Sequence, residues 1–262
     1  IGFHGRDDGL YRGKLINHPI AFEAHQHISN NYLALAAAAY PGTATEKDVP
    51  PPAIDHVSVS PEQHQAALRR LQQRLPEFAP ASHQLLLLNP NAGDLLPQRR
   101  WPTEHYLALV RKALETWPTL YVAVMGGPGD SRGTAEFVAR VGNRRCGDIA
   151  GRFPIADLPA LFSLSTLLVS NDSGPAHFAA ISPLPVIALF GPESPERYRP
   201  LGNVTALSAG LTCSPCIHAH NQRRSDCRDN RCMRAISVDQ VFWHVRRILD
   251  ATPGALPSIP NR

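Results

Sequence analysis

The amino-acid sequence predicts an α/β fold, in which a Rossmann-like parallel sheet carries helices on both faces. Two features of the sequence support this prediction. From residue 84 onward, apolar runs of strand length, such as residues 85–88 and 186–190, alternate with longer segments of helical spacing. Each run ends in a loop rich in Gly, Asn, Asp, Ser and Pro, as strands in βαβ units do.

The elements follow one another in a regular order. Residues 1–3 are predicted to form a short strand and residues 27–40 a helix, and the apolar residues of 61–75 recur at the spacing of an amphipathic helix. The predicted strands of the main sheet are 84–89, 120–125, 166–170, 185–190 and 204–208. The predicted helices between and after them are 103–117, which Thr103 is expected to cap, 131–141, 156–163, 175–181 and 237–249.

The composition limits the classes of function. Apolar residues make up 43% of the chain and charged residues 18%, which excludes a disordered chain. No apolar run reaches the length of about 18 residues that a membrane-spanning helix needs. The net charge of +4 is mild, and without interleaved aromatic and basic residues it does not indicate a nucleic-acid partner. Most of the basic residues are arginines, whose forked donors suit phosphate groups.

The most informative loop follows the third strand of the main sheet. Gly174 opens a helix there, and without a Cβ it lets a ligand approach the backbone closely. Pro175 fits the first helical position, and the helix N-terminus favours an anion such as a diphosphate, which His177 would also face. The alternative is purely structural: Asp172 or Ser173 caps the helix, and His177 belongs to the core.

Two further loops end at the same edge of the predicted sheet. Arg99 and Arg100 follow the first of them, where guanidinium groups match phosphate oxygens; the alternative is a pair of solvated surface arginines. After the second strand, Gly126 and Gly127 permit close backbone approach, and Asp130 is placed to bind a ribose or to cap the next helix. A G-x-G-x-x-G fingerprint and a P-loop are both absent, which argues against a dehydrogenase and an NTPase.

These motifs together resemble those of a known family. The sequence NDSGPAHFAA at 171–180, followed by FGPESP at 190–195, is similar to the bacterial heptosyltransferases, glycosyltransferase family nine. LNPNAG at 88–93 with RRWP at 99–102 resembles the first donor-domain motif of that family, and VMGGPGD at 124–130 resembles the second. The motifs occur in the family's order, so their combination is more specific than any one of them.

The resemblance implies an architecture and an activity. Members of the family have two facing Rossmann-like domains, the GT-B arrangement. The C-terminal domain binds a nucleotide-activated sugar, typically ADP-heptose, and the N-terminal domain holds the lipopolysaccharide-core acceptor and the general base. The sugar is transferred with inversion and without a required metal cofactor. The implied location is the cytoplasm, with peripheral contact at the inner face of the inner membrane.

The resemblance also implies roles for the residues of the third loop. Asp172 would bind sugar hydroxyls. Ser173 and Gly174 would offer backbone or hydroxyl donors to the diphosphate, and His177 would lie beside them.

For the other loops and the domains the resemblance implies the following. Arg99 stands where the family often has a lysine near the phosphate, Asp130 near an acidic residue on the nucleotide ribose, and Asn91 where some members bind with hydroxyl residues. Residues 1–75 would be the end of the acceptor-side domain and a linker, and residues 76–262 the donor domain. The general base would precede Ile1, so that no catalytic residue is assigned and the chain alone is expected to be inactive.

Four cysteines form a separate motif, C-x2-C-x10-C-x4-C, made of Cys213, Cys216, Cys227 and Cys232. Such pairs can hold a structural zinc ion, with His218 and His220 as alternative ligands. Disulfides and free thiols are the other two readings, and a cytosolic enzyme argues against disulfides. We expect this segment to form a local tie that takes no part in the transfer chemistry.

The sequence leaves one rival to the enzyme. The alternative is a non-catalytic module that binds a nucleotide sugar. The donor sugar, the nucleotide and the acceptor stay open between members of the family.

Overall fold

The computed structural model describes residues 1–3, 15–40, 54–93, 96–218 and 225–252. A six-stranded sheet lies at its centre, with the strand order β5-β4-β3-β6-β7-β8 and every neighbouring pair parallel. Two very short strands, β1 and β2, pair in a separate parallel sheet. The predicted parallel sheet is therefore confirmed. The strands are β1 (Gly2–Phe3), β2 (Pro19–Ile20), β3 (Gln84–Asn89), β4 (Leu120–Val124), β5 (Cys146–Asp148), β6 (Leu167–Asn171), β7 (Val186–Leu189) and β8 (Val204–Leu207).

The seven predicted helices are present, with ends shifted by at most a few residues, whereas the two four-residue helices at Pro195–Tyr198 and Arg231–Arg234 were not predicted. The helices are α1 (Ile28–Ala39), α2 (Pro61–Gln72), α3 (Thr103–Thr116), α4 (Ser131–Val141), α5 (Leu158–Ser163), α6 (Gly174–Phe178), α7 (Pro195–Tyr198), α8 (Arg231–Arg234) and α9 (Val238–Ala251). Thr103 is the first residue of α3 and makes no capping hydrogen bond, because Pro102 occupies the cap position. The prediction of Thr103 as a cap was therefore wrong.

Helices cover both faces of the sheet. All six residues of β3 are buried, as expected of a central strand covered on both sides. Leu86 and Leu88 pack in the layer of α3, α4 and α9, whereas Leu85 and Leu87 pack in the layer of α2, α5 and α6. The run of leucines thus supplies both layers of the core from one strand, since successive side chains point to opposite faces.

Helix α2 belongs to this packed unit. A reciprocal capping box between Ser60 and Gln63 starts it, and Ala67 and Leu71 are buried against the sheet layer that contains Leu161. The packed unit around the sheet therefore begins before residue 75, where the domain boundary was predicted. The division into an acceptor-side and a donor domain itself stays a prediction.

Two residues that precede α1, Ala24 and His27, also contact the sheet unit. His27 Nε2 lies 2.9 Å from the carbonyl oxygen of Arg199, and Arg197 donates to the carbonyl of Ala24. The predicted Gly-rich turn beyond Phe3 lies outside the described residues. None of the helices in the described ranges combines the length and apolar character that crossing a bilayer requires.

The sheet order places a crevice at one edge. The chain runs outward from β3 through β4 to β5, then returns to β6 on the other side of β3 and runs outward again through β7 to β8. At such a reversal, the loops after two adjacent strands diverge and leave a crevice at the carboxyl ends of the strands. The loops after β3 and β6 therefore frame the position where a ligand is expected.

Candidate functional site

The loops after β3 and β6 are joined by side-chain hydrogen bonds at the sheet edge. Asn89 lies opposite Ser170 in the parallel register. Its Nδ2 donates to the hydroxyls of Ser173, at 2.8 Å, and Ser170, at 3.1 Å. Ser173 in turn donates to the carbonyl of Asn171 at 3.2 Å. The side chain of Ser173 is therefore used to hold the two loops together.

Asn171 is the centre of a second, fully buried network. Its Oδ1 accepts from the backbone N–H of Trp101 at 3.0 Å and from the hydroxyl of Tyr106 at 2.9 Å, and its Nδ2 donates to the carbonyl of Pro90 at 2.9 Å. Burial raises the pKa of the Tyr106 hydroxyl well above its usual value, so that it stays a donor. This one amide fixes the end of β6, the loop after β3 and the start of α3. No role was predicted for Asn171 from the sequence, although a polar residue at the end of a buried strand indicates a functional or structural contact.

Arg99 connects Asp172 with a residue that the sequence analysis did not single out. Its Nη2 lies 2.6 Å from Oε1 of Glu193, and its Nε lies 3.5 Å from Oδ2 of Asp172. Glu193 follows β7, and its side chain is fully buried. The expectation that Arg99 lies near a phosphate stays a prediction, and in the structure its guanidinium lies between two carboxylates. A charged residue three positions after the apolar run 186–190 was the available signal for Glu193.

Gly174, two residues after Asp172, has open space where a Cβ would lie. A Cβ placed on it would meet only Cε2 of Phe178, at 3.9 Å, and its φ is outside the left-handed range. Neither backbone strain nor packing within the protein therefore requires a glycine here. The side chain of His177 is 45% exposed, and its Nε2 lies 3.7 Å from Oδ1 of Asp172, so the alternative of a core histidine is wrong.

Helix α6 is shorter than predicted. Only Gly174–Phe178 are α-helical, and Ala179–Ile181 continue as a 3-10 turn. Ser173 occupies the cap position without a capping hydrogen bond from its side chain, so capping by Ser173 does not account for the motif. Because so short a helix sums few peptide dipoles, its dipole is small. An anion here would depend mainly on hydrogen bonds and nearby cations.

The second loop positions Asn91 and Asp130. Asn91 Nδ2 donates to the carbonyl of Met125 at 3.1 Å, and Asp130 Oδ2 accepts from the backbone N–H of Gly127 at 2.8 Å. A Cβ on Gly126 would lie 2.7 Å from Asn91 Nδ2 and 2.8 Å from Asp130 Cβ. Gly126 is therefore needed for the packing of these two side chains. The side chain of Asp130 closes the turn before α4 but makes no capping hydrogen bond to α4 itself, so the alternative of a cap on the next helix is wrong.

An open cleft of about 340 Å³ adjoins this loop. It is lined by Pro90, Asn91, Arg100, Thr103, Gly129, Asp130, Arg132, Gly133, Glu136 and Phe137. Arg100 does not join the Asp172 cluster through the contacts seen here. Its Nε and Nη2 donate to the carbonyl of Ala92 at 3.1 and 2.8 Å. Arg99 thus faces Asp172, whereas Arg100 lines the neighbouring cleft, and the expectation that both guanidinium groups lie at a phosphate stays a prediction.

The cysteine motif packs behind these loops. We call its described residues, 213–218 and 225–234, the cysteine strap. The backbone N–H groups of Cys216 and Ile217 donate to the carbonyl of Pro192 at 2.9 and 2.8 Å. Gln98 Nε2 donates to the carbonyl of Cys227 at 3.3 Å, and Asn230 donates to that of Arg100 at 3.0 Å. The strap thus braces the two loops that carry Arg99 and Glu193, although it is far from Arg99 along the chain.

In the described part of the chain, the four strap cysteines form no disulfide. Cys213 is exposed, Cys216 and Cys227 are half-buried, and Cys232 is buried. Burial raises the pKa of Cys232, and the three other strap thiols raise it further. Among the described residues, no group of three or more His, Cys, Asp or Glu side chains has an arrangement that could hold a metal ion. His220, one of the alternative ligands, lies outside those residues. The arrangement of the described side chains does not fit a zinc ion. Because His220 is not among them, zinc binding by the whole motif stays a prediction.

Cys146 is expected to be inert while the protein is folded. Burial in β5, with a smaller effect from Asp148, raises its pKa from 9.0 to about 12. At pH 8 an aromatic disulfide reagent should label exposed Cys213 at once and Cys146 only after unfolding. Between pH 9 and about 12 the thiol of the unfolded chain ionises, whereas the native thiol stays protonated. The contribution of Cys146 to the free energy of unfolding is therefore complete below pH 9 and declines between pH 9 and about 12. Mass spectrometry of the labelled peptides gives the order; early labelling of Cys146 would contradict the burial.

Comparison with known proteins agrees with the motifs. The family model of glycosyltransferase family 9 (heptosyltransferase) matches residues 1–225. Lipopolysaccharide heptosyltransferase 2 of Salmonella typhimurium is 28% identical over 130 residues, which are 48% of this chain and 37% of that protein. Lipooligosaccharide heptosyltransferase 2 of Haemophilus influenzae is 28% identical over 174 residues, which are 63% of this chain and 49% of that protein. The chain thus spans about half or less of the curated relatives it matches.

Solved structures share the fold. The structure of the E. coli ADP-heptose lps heptosyltransferase II aligns with a TM-score of 0.68 and 22% identity, over 90% of this chain and 66% of that one. The E. coli heptosyltransferase WaaC with ADP aligns with a TM-score of 0.57 and 14% identity, over 88% of this chain and 59% of that one. Because the family model covers most of the sequence, the chain belongs to glycosyltransferase family 9, the heptosyltransferase family.

Proposed function

We propose that this chain supplies the donor-binding part of an inverting glycosyltransferase. The donor would be a nucleotide sugar, with ADP-heptose as the first candidate, and the acceptor a lipopolysaccharide-core glycan at the cytoplasmic face of the inner membrane. The observation that carries the proposal is the open side of Gly174. It lies at the reversal of the sheet, in the loop that also carries Asp172 and His177.

The geometry supports a different ligand-binding role for each group of residues at the proposed site. The side of Gly174 without a Cβ admits a diphosphate, and His177 is exposed beside it as a donor. Asp172 is an acceptor suited to sugar hydroxyls, because its carboxylate accepts hydrogen bonds only. Asn91 and Asp130 line the adjoining cleft, where the nucleoside would lie.

The same groups would assist transfer by stabilising the leaving group. Negative charge grows on the diphosphate as the bond to the sugar breaks. Hydrogen-bond donors that are already in position stabilise that charge without reorganising. Backbone groups around Gly174 and the side chains of His177 and Arg99 are the candidates. The general base is not assigned to any residue of this chain.

The comparisons favour an enzyme over a non-catalytic binding module. The curated relatives named above are heptosyltransferases, and WaaC was crystallised with ADP. ADP is therefore the first ligand to test. Because protein groups are proposed to bind the diphosphate, we expect no requirement for a divalent metal ion.

We expect the protein to bind ADP at least about tenfold more tightly than AMP, since a charge-assisted phosphate contact contributes about 1.5–3 kcal/mol. Isothermal titration calorimetry with ADP and AMP measures both constants, and parallel titrations with EDTA and with magnesium test the metal. Equal constants for ADP and AMP would refute the diphosphate site. Binding of ADP only with magnesium would refute the metal-free arrangement.

A further inference from the structure

Glu193 is a buried carboxylate that pairs with Arg99, a residue of the proposed site. It follows β7, and its side chain has no exposed surface. The 2.6 Å contact with Arg99 Nη2 joins it to a residue that lies 94 positions earlier in the chain. A buried carboxylate is stable only when it is paired, so this contact is a constraint on Arg99 as well as on Glu193.

The position of Glu193 is itself fixed from behind. The preceding carbonyl, of Pro192, accepts two backbone hydrogen bonds from the cysteine strap. A Cβ on Gly191 would lie 2.5 Å from Met233 Sδ, so the strap packs directly against this loop. Glu193 is therefore presented to Arg99 by backbone that has little freedom to shift.

Arg99 lies between Glu193 and Asp172 but forms no hydrogen bond to Asp172 Oδ2 in the structure. Its Nε is 3.5 Å from Asp172 Oδ2, and both atoms are buried without a hydrogen bond in the structure. The guanidinium is planar, so a contact at Nη2 restricts the direction of its other donors. A guanidinium released from Glu193 would be able to turn Nε and Nη2 onto Asp172 as a bidentate pair.

We propose that Glu193 is a positioning residue that holds Arg99 off Asp172. The inference rests on the proposed nucleotide-sugar site. Fixed by Glu193, Arg99 keeps its remaining donors available to the diphosphate, and Asp172 keeps its carboxylate available to sugar hydroxyls. Without the charge of Glu193, Arg99 pairs with Asp172, and both groups are withdrawn from the ligand.

The test compares Glu193→Gln with a matched control. Glutamine keeps the size and an acceptor oxygen but removes the charge. The control is Glu196→Gln, an exposed glutamate three residues along whose partner is the hydroxyl of Ser194. Calorimetry should show about tenfold weaker ADP binding by Glu193→Gln, with less than about twofold change for AMP, because one charge-assisted contact is lost. Glu196→Gln should bind both nucleotides as the parent does.

Two outcomes in binding would overturn the proposal. Tighter ADP binding by Glu193→Gln would mean that Glu193 competes with the diphosphate for Arg99. A lower melting temperature with an unchanged ratio of ADP to AMP affinity would mean a structural role alone.

A cycle without ligand separates this inference from the proposed function. Melting temperatures of Arg99→Met, Glu193→Gln and the double variant show whether the residues act as a pair. We expect the double variant to melt clearly higher than the sum of the two single shifts predicts. Additive shifts would overturn the positioning role, whereas absence of ADP binding by the parent protein would overturn the proposed site.

Discussion

Replacing Gly174 with valine is expected to weaken ADP binding by at least about a hundredfold, which corresponds to roughly 2.7 kcal/mol. The branched side chain would occupy the open space beside the Cα, through which we propose that the diphosphate approaches. Alanine should have an intermediate effect, because it adds only the Cβ.

The fold should tolerate this substitution. A Cβ at position 174 has only Phe178 within 4 Å, at 3.9 Å, and the backbone is not in the left-handed region. Calorimetry with ADP and thermal melting of the same samples separate binding from folding. If the valine variant binds ADP like the parent protein, the diphosphate does not lie at Gly174. If the valine variant melts far below the parent protein, the fold itself needs the open space beside Gly174.

Replacing Asn171 with leucine is expected to lower the free energy of unfolding by about 3–5 kcal/mol, because each buried group left without a partner costs about 1–3 kcal/mol. Leucine has a similar size, but the N–H of Trp101 and the hydroxyl of Tyr106 lose their acceptor, and the carbonyl of Pro90 loses a donor. This is the largest effect on stability that we expect from a single residue at the site.

Urea unfolding measures the change, and Asn203→Leu provides the control. Asn203 is exposed, so its replacement should alter stability by less than about 0.5 kcal/mol. A loss below about 1 kcal/mol for Asn171→Leu would show that water satisfies the three groups equally well.

The sheet was predictable because its signal is local. The apolar run of β3 and the polar residues after each strand are read from neighbouring positions, and β3 itself was predicted with the bounds observed. Strand β5 was missed because Cys146-Gly147-Asp148 contains no apolar run. Its pairing with β4 decides its conformation, and that contact joins separate parts of the chain.

The partners within the site could not be predicted in the same way. The sequence places Arg99 and Asp172 at one sheet edge, but it does not show that Glu193 takes one side of the guanidinium. Nor does it show that Arg100, the next residue, turns to the carbonyl of Ala92. These directions depend on which acceptors the folded loops bring within reach, and that is a property of the tertiary structure.

The residues that brace the proposed site are synthesised after the residues that would bind the ligand. Every residue proposed to contact the ligand has been added to the chain by the time Glu193 is synthesised. The strap that hydrogen-bonds to Pro192 follows it, as does Ile236, whose carbonyl accepts from the indole of Trp101 at 2.9 Å. Helix α9 is the last helix in the described ranges, and the carbonyl of Leu249 accepts from Gln84 of β3 at 2.9 Å. The proposed binding residues of this chain are therefore made before the residues that brace them, and we expect the site to become competent only after α9 has docked.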